Sequence, residues 1–96
     1  IPALESALGD GDMYVRAQAA KGLGYFRDQV SQVVPILKKA LTDEAKNVRV
    51  AAAYALGELG PGAAGAVPEL RDAAKDRDGD VKTAALFAIK AIQEQK

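Results

Sequence analysis

Val34-Pro35-Ile36-Leu37-Lys38-Lys39-Ala40-Leu41-Thr42-Asp43, followed after four residues by Val48-Arg49-Val50-Ala51-Ala52-Ala53-Tyr54-Ala55-Leu56-Gly57, is the stretch that decides the fold. Its first half places apolar residues at Val34, Leu37 and Leu41, the i, i+3, i+7 stripe of a short amphipathic helix. Its second half repeats the device over Val48, Ala52, Leu56 and Leu59. About four residues join the two, which forces an antiparallel helical hairpin.

The same writing occurs on both sides of it. Ile1-Pro2, Val34-Pro35 and Val67-Pro68 stand 33 residues apart. Without any gap, that offset aligns Leu4, Leu37 and Leu70; Ala7, Ala40 and Ala73; and Asp10, Asp43 and Asp76. It also aligns Val15, Val48 and Val81, then Ala19, Ala52 and Ala85, then Leu23, Leu56 and Ile89. A gapless series of this kind marks a repeat architecture. The reading is therefore all-α: one domain over residues 1–96, a right-handed solenoid of three antiparallel helix pairs, with units 1–33, 34–66 and 67–96. No single pair can bury its own stripe, so each must stack on the next. Ala19, Ala52 and Ala85, small and mid-stripe, are expected to let adjacent units approach.

Local signals agree. Pro2, Pro35 and Pro68 are expected in first helical turns, where a missing N–H has no intrahelical partner to lose. Asp12 and Asp78 are expected N-caps; Ala45 holds that place in the middle unit, which leaves Asn47 to cap one turn later. Gly60-Pro61 ends the second helix of that unit. Alanine, the best helix former, supplies 20 of 96 residues.

Composition excludes several functions. Thirteen Lys plus Arg balance thirteen Asp plus Glu, so the chain lacks the basic excess of a general nucleic-acid binder. Without Cys or His it has no thiolate, no disulfide, and neither the commonest metal ligand nor the commonest general base. Hydroxyls at Ser6, Ser31, Thr42 and Thr83 have no imidazole to activate them. No catalytic residue, metal or cofactor is assigned. No apolar run approaches the ~18–20 residues of a membrane span, and the compartment is unreadable. Gly60-Pro61-Gly62-Ala63-Ala64-Gly65 spells a G-x-G-x-x-G, but a helix precedes it where a dinucleotide fingerprint needs a strand. Asp76-Arg77-Asp78-Gly79-Asp80 has its glycine fourth and Phe87 twelfth, not the calcium-loop pattern; it reads as a capping turn.

These residues resemble the HEAT-repeat family, in the variety found in phycobilin lyases and many bacterial scaffold proteins. Val34 to Asp43, Val48 to Gly57 and the passage Gly60 to Pro68 carry the likeness, which covers all three units. The resemblance implies a non-catalytic binding scaffold whose second helices line the concave face. It also implies a structural ladder that links successive repeats through a turn aspartate and an early arginine of the second helix; the matching pairs are Asp10 with Arg16, Asp43 with Arg49, and Asp76 with Lys82. Lys82 departs from that pattern and lacks the planar fork. A bilin-handling subunit is the alternative the resemblance permits.

On the second helices, a rotation of 100° per residue sets an opposite arc against the stripe. It holds Tyr14, Ala17, Lys21, Gly24 and Tyr25 in the first unit and Asn47, Val50, Tyr54, Gly57 and Glu58 in the second. In the third it holds Asp80, Thr83, Phe87, Lys90 and Ala91. A solvated arc should be mainly charged; aromatic residues here suit a partner surface. Tyr14, Lys21, Tyr25, Val50, Tyr54, Thr83 and Phe87 are the expected contacts for a protein or peptide. The first helices carry Glu5, Ser6, Lys38, Lys39, Arg71 and Asp72 toward solvent. Ile1, Leu4 and Leu8 begin without a polar capping unit, which predicts self-association there or membership of a longer array. Gln93-Glu94-Gln95-Lys96 reads as a polar terminal unit.

Overall fold

Among the described residues the 33-residue period appears in space as six α-helices in successive pairs. The computed structural model describes residues 1–94; of the polar ending, Gln95 and Lys96 lie outside the described residues. Helix α1 spans Pro2–Ala7, α2 Met13–Leu23, α3 Val30–Ala40, α4 Lys46–Leu59, α5 Val67–Ala73 and α6 Gly79–Gln93. Short 3₁₀ segments, Arg27–Gln29 and Gly60–Ala66, connect the pairs, and no strand occurs among the described residues. The second helices α2, α4 and α6 pack side by side, with α4 in the middle; α1, α3 and α5 cover their other side. The result is a slab of 36 × 32 × 15 Å.

The stripes become the core. Leu23, Leu37, Leu56, Leu70, Val33, Val48 and Val81 are the largest fully buried side chains, and no polar or charged residue is buried among those described. Alanines fill the spaces between helices, with Ala20, Ala52, Ala53, Ala84, Ala85 and Ala88 all wholly enclosed. Unit by unit the burial is unequal. Val48 and Val81 are sealed between helix pairs, whereas their counterpart Val15 is 40 % exposed.

Several local expectations need correction. Pro2 and Pro68 do stand in first turns, but α3 starts at Val30, so Pro35 lies inside it. The passage before Pro35 is Arg27 to Val33, without glycine, and helical continuation buries Val33 completely. The hydrogen bond that Pro35 cannot donate leaves the carbonyl of Ser31 free on an exposed turn, where water can take it. Before Pro68, in contrast, stands Gly60, whose φ of 69° breaks α4 in a conformation that a side chain resists.

Asp12 caps α2 by accepting from the Tyr14 N–H, and Asp78 caps α6 by accepting from Asp80 and Val81. Asn47 caps nothing. The N-cap of α4 is Ala45, and its N–H is taken by the Asp43 carboxylate at 2.9 Å; Asn47 lies inside the first turn instead.

Helices also approach closely at two glycines. A methyl added at Gly24 would sit 3.0 Å from the Ala55 Cα and Cβ; at Gly57 it would meet the Phe87 ring at 2.9 Å and the Ala88 Cα at 3.1 Å. Both glycines are buried between helix pairs, not on the solvated arc. The 100° rotation ignores the neighbour that lies to one side of each second helix.

Candidate functional site

Two polar and aromatic constellations arise from the stacking. The first runs along the turns between paired helices. At each turn the aspartate accepts from the backbone N–H two residues on: Asp10 from Asp12, Asp43 from Ala45, Asp76 from Asp78. These Asx turns set the angle at which the second helix leaves. Arg16 then reaches across to the next pair, with Nε and Nη2 on the two oxygens of Asp43 at 3.0 and 3.1 Å. Its Nη1 donates to the carbonyls of Asp10 and Gly11 in its own turn. Arg49 repeats the arrangement, with Nε on Asp76 at 2.9 Å and Nη1 on the carbonyls of Asp43 and Glu44.

The resemblance implies a ladder between successive repeats, with Asp10 and Arg16, and Asp43 and Arg49, as its matching residues. In the structure each guanidinium binds its own turn only through carbonyls, and gives its carboxylate contact to the following pair. The reason is reach. The arginine sits one turn into the second helix, over its own turn's backbone, while the neighbour's aspartate projects across the boundary. Lys82, at the matching place, is exposed, and its side chain makes no hydrogen bond or ion pair among the described residues.

Electrostatics follow from this grip. Partial burial pushes the Asp43 carboxyl up, but the bond from Arg16, the Ala45 N–H and the charges of Arg16 and Arg49 outweigh it and hold the group below its ordinary 3.8. Desolvation likewise raises Asp78, against the Val81 N–H, Lys46 and the Asp80 N–H, and the net direction is again downward. The Asp43 bond, working against desolvation, raises Arg16 above its ordinary value. For a carboxylate whose folded value is depressed, stability is present above the unfolded value, here near 3.8, and is lost as pH falls through the lower folded one. We therefore expect the stability gap between the parent chain and Asp43→Asn to be constant from pH 7 to about 5. It should shrink below about 4, read by urea melts at each pH. A gap unchanged at pH 2 would show that the charge contributes nothing.

The second constellation lies on the face of the second helices. Lys21, Tyr25, Tyr54 and Glu58, with Gly24, Ala51 and Ala55 as floor, surround a hollow of about 500 Å³ between α2 and α4. Tyr25 is 77 % exposed. The Tyr54 ring leans on Phe87 of α6 with centroids 5.2 Å apart and planes at 50°. That contact spans the α4–α6 boundary, and Phe87 also lies over Gly57; the two rings nonetheless stay 41 % and 43 % exposed. They serve packing and surface together. Thr83 is exposed on α6, beside this row.

Two of the expected contacts lie elsewhere. Val50 is half-buried and packs against the core. Tyr14 borders a separate hollow with Leu4, Ala7, Val15, Gln18 and Ala19 at the α1–α2 end. Leu86, 54 % exposed on α6, escapes the periodicity reading altogether. Its counterpart Ala53, between α2 and α6, is fully buried.

Among the described residues no group of acidic side chains is placed to hold a metal ion, and no helix is long and apolar enough to cross a membrane.

Paired helices stacked at a fixed offset, joined by arginine–aspartate contacts and presenting no catalytic cluster among the described residues, define a helical-repeat protein. A family model described as HEAT repeats matches residues 1–90, and the chain belongs to that family. Repeats of this kind commonly serve as scaffolds for protein–protein interaction and are typically non-catalytic. None of the curated proteins compared with the chain matches it.

Proposed function

We propose that residues 1–96 act as one right-handed solenoid domain of three units that holds a protein or peptide on the concave face of α2, α4 and α6. The observation that carries this reading is the row of unburied rings: Tyr25 in the turn after α2, Tyr54 on α4 and Phe87 on α6. Tyrosine gives large contact area for little lost side-chain freedom. Lys21 on one side of the hollow and Glu58 on the other offer opposite charges to a polar backbone or to flanking side chains. The ligand this suits is a short segment with one apolar anchor between charged residues, and Thr83 extends the surface beyond Phe87. The arginine–aspartate ladder keeps the row in register; its role is structural.

Peptides selected from a random library on the immobilised chain test the assignment. Tyr25→Ala with Tyr54→Ala is expected to weaken selected peptides about tenfold or more. Glu5→Ala with Lys39→Ala on the first helices should leave them unchanged. Tyr25→Ala alone should shift stability by no more than ~0.5 kcal/mol, as for an exposed residue. Tyr54→Ala should cost ~1 kcal/mol through its contact with Phe87. Peptides that bind the double variant as well as the parent would place the partner surface elsewhere. An added tetrapyrrole should show no absorption shift.

A further inference from the structure

We infer that the hollow between α2 and α4 takes a polyproline II segment, with a proline ring seated between Tyr25 and Tyr54 and an acidic residue beside it on Lys21. The inference rests on the reading that this hollow is the partner surface, and goes further by naming the ligand's backbone and its anchor.

Peptides are held in a few physical modes, and this surface discriminates among them. Strand addition needs an open sheet edge, and no strand occurs among the described residues. A helix laid in a groove needs anchor sites at successive turns. Here Phe87 lies against Tyr54 and over Gly57, which covers the next seam, so the hollow seats one anchor. Its floor cannot deepen for a long branched side chain. A methyl at Gly24 would already stand 3.0 Å from Ala55, so the two helices are in contact beneath it. A shallow slot with Gly24, Ala51 and Ala55 below and two tyrosines around it fits a flat ring.

Proline supplies such a ring with its φ already fixed, so little freedom is lost on binding. The polyproline II backbone has no internal hydrogen bonds and leaves its carbonyls open. Tyr25 and Tyr54 each bring an aromatic face and a hydroxyl that donates to such a carbonyl. Tyr54 is braced by Phe87 at 5.2 Å, so one wall is set before the ligand arrives. Tyr25, 77 % exposed, is the wall that the ligand covers. Charge selects the flank. Glu58 already has Arg27 at 3.7 Å, whereas Lys21 has no ion pair among the described residues. The rim thus carries an unpaired cation, which a carboxylate beside the proline run satisfies.

The probes are labelled hexaproline peptides carrying two glutamates or two lysines, each made with its charges at the amino end and at the carboxyl end. They are titrated into the full chain at low salt. Saturable binding is expected, with the glutamate peptide in its better order about two- to fivefold tighter than the lysine peptide. The amide signals of Gly24, Ala51 and Ala55 should shift. Tyr25→Ala should weaken binding about tenfold or more. Tyr25→Phe, which keeps the ring and loses the hydroxyl, should weaken it about two- to tenfold. Lys21→Glu should reverse the preference between the two charges. Absence of binding, binding indifferent to Tyr25→Ala, or a charge preference that survives Lys21→Glu would overturn the inference. Library peptides that need Tyr25 and Tyr54 but contain no proline would also overturn it and leave the partner surface standing. Library peptides indifferent to both tyrosines would remove the surface and the inference together.

Discussion

Leu56→Ala is expected to cost about 2–5 kcal/mol and to lower the melting midpoint by roughly 10 °C or more. Leu56 is wholly enclosed in α4, the helix flanked on both sides by other second helices. Truncation removes three carbons from water-free contact and leaves a cavity lined by helices that cannot easily close in. The slab is only 15 Å thick, so a single layer of such side chains makes up the core. A loss in the upper half of that range consumes a large share of the 5–15 kcal/mol that holds a small domain folded. The measurement is a thermal or urea melt followed by helical circular dichroism. A midpoint within 2 °C or so of the parent would mean that the core lies elsewhere.

Gly57→Leu is expected to cost about 3 kcal/mol, the upper part of the usual range for overpacking. Two effects oppose each other here. Leucine favours the helix over glycine by somewhat under about 1 kcal/mol. Against that, the first added carbon already meets the Phe87 ring at 2.9 Å and the Ala88 Cα at 3.1 Å, and three more follow. The ring can swing aside, but the Ala88 backbone belongs to α6 and moves only if the helix moves. The clash wins. Amide exchange should quicken along α6 while α2 and the α2-facing side of α4 keep their protection. A variant more stable than the parent would show that propensity outweighs contact at this boundary.

Much of the helical architecture was legible in the sequence, since a period of 33 with apolar stripes at helical spacing leaves little other choice. The caps at Asp12 and Asp78 and the stop at Gly60 were legible for the same reason: each is a local bargain between a side chain and its own backbone. What remained hidden depends on neighbours. Spacing alone does not say which aspartate an arginine takes; only the resemblance implies a link between repeats, and in the structure the arginine of one pair takes the aspartate of the next. Gly24 and Gly57 read as part of an exposed arc because a single helix wheel has one buried side, whereas α4 touches helices on three.

The surface was half legible. Lys21, Tyr25 and Tyr54 share one hollow, and Tyr54 meets Phe87, as residues on one arc of adjacent helices would. Tyr14 sits with Val15 at the end of the slab instead, and Val50 leans into the core. Pro35 shows the limit of a proline rule: burial of Val33 outweighed the missing hydrogen bond once the carbonyl it orphaned could face solvent.

The seams between α2, α4 and α6 are built largely from alanine and glycine, and those residues surrender no side-chain freedom when covered. Their adhesion comes from proximity, not from interlocking, so it weakens steeply with distance and opposes small tilts only softly. Bending of the array is thus concentrated at these smooth joints, each held at its rim by an arginine acting as a tether while the helices themselves stay straight.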